Sequence, residues 1–154
     1  MRIRNLLLLP LGALAACVTV PPYEARFDDG LSDLQEQVYD HYAAIQLDEG
    51  GGACVGAAPR KFWQGARRSV DLLALRATYT PHYEVIHDQL AGLRAALDRY
   101  ETIETTNASE QAAAGRTGHG LCLPDALAHA SNVQLRDQIG AIVKLELTYK
   151  RGNR

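Results

Sequence analysis

The spacing of apolar residues restricts this chain more than any other feature. Between positions 83 and 100, Tyr83, Ile86, Leu90, Leu93, Leu97 and Tyr100 follow one another at steps of 3-4-3-4-3. Only a helix brings residues at that spacing onto one face. Three other segments repeat the pattern. Leu34, Val38, His41 or Tyr42, and Ile45 mark one over about 31–47. Trp63, Ala66, Val70, Leu73 and Ala77 mark another over about 60–79. Leu135, Ile139, Ile142, Val143 and Leu147 mark the last over about 124–149. No segment alternates with the period of two that a half-buried strand requires. A helix apolar along one stripe must bury it against its neighbours. The expectation is an all-α up-down four-helix bundle. The chain has 154 residues, enough for one domain with its own core. At 47% hydrophobic and 22% charged residues, its composition excludes general disorder.

Local signals place the ends. Ser32 with Gln35 reads as a capping box for the first helix. Thr80-Pro81 reads as an N-cap followed by proline at the first helical position of the third. Pro124 opens the fourth. Two breaks are rich in small residues: 48–59, DEGGGACVGAAP, and 107–123, NASEQAAAGRTGHGLCL, which is expected to be a mobile loop. One alternative stays open. The apolar pattern continues through Leu72, Leu75 and Tyr79 into His82, Tyr83 and Ile86. The second and third segments could therefore form one long Pro-kinked helix flanked by two shorter ones.

The first 17 residues, MRIRNLLLLPLGALAAC, carry a different message. Arg2 and Arg4 precede an apolar run from Leu6 to Ala16. That run is too short for a membrane span, which needs about 20 apolar residues, and has the form of a secretory signal. It ends in Leu14-Ala15-Ala16-Cys17, which resembles the lipobox of bacterial lipoproteins. The resemblance covers this segment alone. It implies a signal peptide over 1–16, cleavage before Cys17, and a diacylglyceryl group on the Cys17 thiol. Val18, rather than Asp, follows the cysteine, which resembles sorting to the inner leaflet of the outer membrane, facing the periplasm. Residues 17–30, with Pro21-Pro22 and no helical period, read as the lipidated cysteine and a tether. Residues 31–154 read as the helical domain.

With Cys17 lipidated, Cys54 and Cys122 remain, one in each small-residue break. In an up-down bundle the first and third connections lie at the same end. An oxidising periplasm then favours a Cys54–Cys122 disulfide. The long-helix alternative would hold these cysteines far apart, whereas a disulfide needs Cα atoms within about 7 Å.

Arg60, Lys61, Arg67 and Arg68 form a basic stretch in RKFWQGARR. It reads as a patch for anionic headgroups or an acidic partner, or more plainly as a solvated face paired with Asp71 and the acids of the first helix. Glu84 and His87 make a single Glu-x-x-His, where di-metal bundles carry two. No metal site or cofactor is expected. His41, on the apolar stripe, fits a hydrogen-bonded core histidine. Tyr39, Tyr42, Tyr79, Tyr83 and Tyr100 fall at core and core-edge positions. Gly50-Gly51-Gly52 lacks the Lys-Ser/Thr of a phosphate loop, and no nucleophile motif is present, so no catalytic residue is assigned and no enzyme is expected. A formal net charge of −2 gives no basic field for nucleic acid. The functional expectation is a membrane-anchored periplasmic lipoprotein whose helical domain serves as adaptor or accessory subunit of an envelope complex. The alternative is a small-ligand-binding bundle, which would need an interior cavity with converging polar groups.

Overall fold

The computed structural model describes residues 25–48, 53, 57–118 and 120–152. Four helices follow in order: α1 (Ala25–Leu47), α2 (Ala57–Tyr79), α3 (Glu84–Ala113) and α4 (Asp125–Gly152). Each packs on two others, in the ring α1–α2–α3–α4–α1, and the diagonal pairs make no backbone contact. Phe27 at the start of α1 meets Tyr83 at the start of α3, and Tyr83 meets Tyr149 near the end of α4. At the other end His41 lies against Phe62 near the start of α2. The result is an all-α up-down four-helix bundle. No strand occurs among the described residues.

The apolar stripes explain the core. Leu34, Val38, Tyr42 and Ile45, then Trp63, Ala66, Val70, Leu73 and Ala77, then the six residues from Tyr83 to Tyr100, are all buried. Leu135, Ile139 and Ile142 complete it from α4. Leu147 departs from its stripe: it is exposed, and Glu146 is buried beside it.

Several element ends differ from the sequence expectation. α1 begins at Ala25, so residues 25–30 belong to the bundle and not to the tether. The reason is Phe27, fully buried one turn before Leu31, which extends the stripe past the Asp28-Asp29-Gly30 run. Gly30 lies in close approach to α2: a Cβ there would stand 3.1 Å from Leu73 Cδ2. Ser32 therefore sits inside a helix and opens none. Thr80-Pro81 is not the cap of α3. The Thr80 hydroxyl donates to the Arg76 carbonyl, closing α2. The chain then reverses through His82, held at φ +66°, and Tyr83 becomes the N-cap. This reversal excludes the long kinked helix. α3 continues to Ala113, so residues 107–113 of the supposed loop are helical, as their run of strong helix formers allows. Asn107 ties that turn to the start of α4 by donating to the Leu121 and Cys122 carbonyls at 3.4 and 2.6 Å. α4 opens after Pro124, whose carbonyl accepts from Leu127 and Ala128.

Candidate functional site

A buried polar cluster lies toward the end of the bundle where α2 and α4 begin. His41 projects from the flank of the α1 stripe, and its Nε2 donates to Glu104 Oε2 of α3 at 2.8 Å. The pair crosses the diagonal of the bundle, with side chains only 7% and 1% exposed. The Phe62 ring stacks on the imidazole at 3.8 Å and 8°. Tyr42 and Trp63 present edges to the same imidazole. Glu104 Oε1 has no hydrogen-bond partner among the described residues. Burial, reinforced by the Glu104 charge, pushes the Tyr42 phenol far above its ordinary pKa, opposed by the facing Ser131 hydroxyl. A histidine–carboxylate pair with a phenol beside it can exchange protons, but here aromatic rings shield it on all but the cleft side. Its chemistry is that of an internal strut joining two helices whose backbones make no contact.

On the solvent side, His41 and Phe62 form one wall of an open cleft of about 470 Å³, which Gln37, Asp40, Ala44, Ala53 and Lys61 complete. A second cleft of about 360 Å³ continues between α1 and α2 toward the other end, lined by Arg26, Asp29, Gly30, Asp33, Gln37, Ser69, Leu72, Leu73 and Arg76.

The structure divides the basic stretch. Arg60, Lys61 and Arg68 are exposed. Arg67 turns to α3, where both guanidinium ends engage Glu101 and Nη1 reaches Asp98 at 3.3 Å. Asp71 pairs with Arg94 instead. The four residues thus do not share one face, and the acid partners come from α3 rather than from the first helix. Two turns of α2 separate Arg60 from Arg67 and turn both toward α3, while Lys61 and Arg68 point outward.

Cys122 is buried and held in a disulfide. Cys17 and Cys54 lie outside the described residues, as does the signal segment, so the pairing with Cys54 stays an expectation. Of the tyrosines, Tyr42, Tyr83 and Tyr100 are buried, while Tyr79 is exposed and Tyr39, also exposed, carries Arg136 over its ring at 5.5 Å. Glu84 and His87 are exposed, and no cluster of three metal-ligating side chains occurs among the described residues. The buried Glu104, Ser131, Asn132 and Glu146 carried no sequence signal: each falls where the helical period turns inward but is itself polar. No helix among the described residues is long and apolar enough to cross a membrane. No family model matches the chain, and neither a curated protein nor a solved structure matches it.

Proposed function

We propose that this chain is a lipid-anchored periplasmic lipoprotein whose helical bundle acts, without catalysis, as adaptor or accessory subunit of an envelope complex. The observation that carries this reading is the short apolar segment ending in Leu14-Ala15-Ala16-Cys17 behind Arg2 and Arg4. The disulfide at Cys122 supports it, because such bonds persist in oxidising compartments. The clefts between α1 and α2 open to solvent along helix edges, which favours contact with another protein over enclosure of a small ligand.

The anchor also orients the domain. Seven residues separate Cys17 from Ala25 and reach at most about 25 Å. The start of α1 is then the membrane-proximal end. Lys61 shares a cleft with His41, sixteen residues and about 24 Å further along α1. A bundle standing on its anchored end would hold the exposed Arg60 and Lys61 away from the headgroups, which favours a protein over a lipid surface as what they meet.

The test is Cys17→Ser in the native host. Labelled palmitate should fail to enter the variant, and uncleaved precursor should accumulate. Incorporation at the wild-type level would overturn the anchor. Crosslinked purification of the lipidated chain from its own envelope should return a defined complex, whereas recovery of the chain bound only to small molecules would overturn the adaptor role.

A further inference from the structure

The turn that joins α2 to α3 lies at the end of the bundle where the chain enters it. α1 and α2 run antiparallel, with Gly30 level with Leu73. Tyr79 lies six residues beyond Leu73, so it stands at or past the level of Ala25, the first residue of α1. Tyr83 fixes the turn in place by packing against Phe27 of α1 and Tyr149 of α4.

The chemistry of this turn is that of an interface between water and lipid. From Ala77 to Ile86 the sequence reads ATYTPHYEVI, with Glu84 its one acid and no lysine or arginine. Tyr79 is 80% exposed and Val85 53%, and Pro81 between them is exposed as well. The turn answers its own polar groups. The Thr80 N–H donates to the Ala77 carbonyl and the Tyr83 N–H to the Thr80 carbonyl, both at 3.3 Å, and the Thr80 hydroxyl donates to the Arg76 carbonyl. A backbone paired in this way enters a water-poor region at small cost. A tyrosine, apolar in its ring and polar at its tip, suits the level of lipid headgroups. Around the turn the exposed Arg26 and Arg76 are offset by the exposed Asp29 and Glu84. Apolar contact, rather than charge, is what this surface offers.

We propose that the α2–α3 turn rests in the headgroup layer of the bilayer that holds the lipid anchor, so that the membrane itself covers Tyr79 and Val85. The proposal rests on the lipoprotein reading. Seven residues between Cys17 and Ala25 reach at most about 25 Å, which confines this end of the bundle to the bilayer surface. Confinement gives the turn a high effective concentration there, so a contact too weak to bind a free protein holds an anchored one. Leu47, 81% exposed at the far end of α1, stands about 33 Å further along the helix and out of reach of the bilayer.

The test uses the full-length lipidated chain in phosphatidylcholine vesicles, which carry no net charge. A photoreactive benzoylphenylalanine is placed at Tyr79 or Val85 and, as controls, at the exposed Leu47 and Val133. Flotation with the vesicles scores the anchor separately. Irradiation should yield phospholipid adducts, identified by mass, from positions 79 and 85 and not from 47 or 133. Tyr79→Asp should lower the adduct yield at position 85 about fivefold, the shift that about 1 kcal/mol produces. Its melting point should match that of the parent chain, because the side chain is exposed. A chain that floats but gives no lipid adduct at 79 and 85, equal lipid yields at all four positions, or a product with a second copy would overturn the proposal and leave the anchor standing. A chain that does not float would overturn the anchor and the proposal together, since nothing else then holds the turn at a bilayer.

Discussion

His41 of α1 and Glu104 of α3 share a hydrogen bond of 2.8 Å across a diagonal of the bundle where the two backbones make no contact. Both side chains are almost fully buried, so each is the other's chief electrostatic compensation. Removing one partner strands the other. His41→Phe alone, or Glu104→Leu alone, should each destabilise the domain by roughly 3 kcal/mol, the range for breaking a buried pair. The double replacement His41→Phe with Glu104→Leu should be nearly neutral, because an apolar pair of similar volume removes both desolvation costs. Thermal melts of the two single variants and the double variant check this as a cycle. Additive losses would mean that the two residues act separately.

The Tyr42 phenol predicts a response to base. In the folded chain its pKa is raised by burial and by Glu104, whereas in the unfolded chain it ionises near 10. The folded state then holds a proton that the unfolded state has lost. The stabilisation from this group is complete below about pH 10 and declines as pH rises further. Denaturation midpoints measured between pH 8 and 11 should fall in the upper part of that range. Tyr42→Phe should flatten the fall, and an unchanged slope would show that other groups cause it.

The helical glycines separate packing from propensity. A Cβ at Gly92 meets nothing within 4 Å, so Gly92→Ala should add about 0.8 kcal/mol from backbone entropy alone. At Gly30 the new methyl would press on Leu73. Leu73 can shift only a few tenths of an ångström in a filled core, so Gly30→Ala should gain little or lose stability. Equal gains at both positions would show that α1 and α2 are less closely packed than this contact implies.

The bridge at Cys122 predicts that the oxidised chain has no alkylatable thiol at Cys54 or Cys122. Mass spectrometry under non-reducing conditions should find them joined in one peptide. Reduction should cost about 4 kcal/mol, the chain-entropy figure for a closed loop of this length. Two free thiols in a folded, unreduced sample would refute the pairing.

The residues that period alone could identify were those whose burial follows from repetition. Leu90, Leu93 and Leu97 recur so regularly that no other conformation accommodates them. The ends were not legible in the same way, because a cap motif is local and packing can override it. Ser32-x-x-Gln35 resembles a helix start, yet Phe27 buries more by extending α1 back to Ala25 than a cap at Ser32 could contribute. Thr80-Pro81 has the same form, but Tyr83 anchors in the core against Phe27 and Tyr149, so the chain turns before α3 starts. The polar interior was half legible. His41 lies on an apolar stripe and reads as a core histidine. Its partner Glu104 sits beyond the apolar series, in TIETTN, where composition suggests a solvated face.

Arg67 tests the division of the basic stretch. Its guanidinium grips Glu101 at both ends and touches Asp98; these contacts raise its own pKa, while Asp98 is held below its usual pKa chiefly by Arg94 and in smaller part by Arg67. Asp98 is exposed and screened, so its contribution is small. The bidentate grip on Glu101 is better ordered than an ordinary surface pair. Arg67→Gln should therefore cost about 1 kcal/mol. Arg60→Gln, Lys61→Gln and Arg68→Gln should each change stability by a few tenths at most, since none has an acid partner among the described residues. The sign with pH follows from Asp98. A carboxylate held below its usual pKa stabilises the fold above that value, and the benefit is lost as acid protonates it. Because Arg67 supplies the smaller part of that lowering, the Arg67 penalty should shrink only slightly below about pH 4. Denaturant midpoints of the four variants at neutral and acid pH measure this. Equal costs for all four would mean that Arg67 stands in solvent with the others.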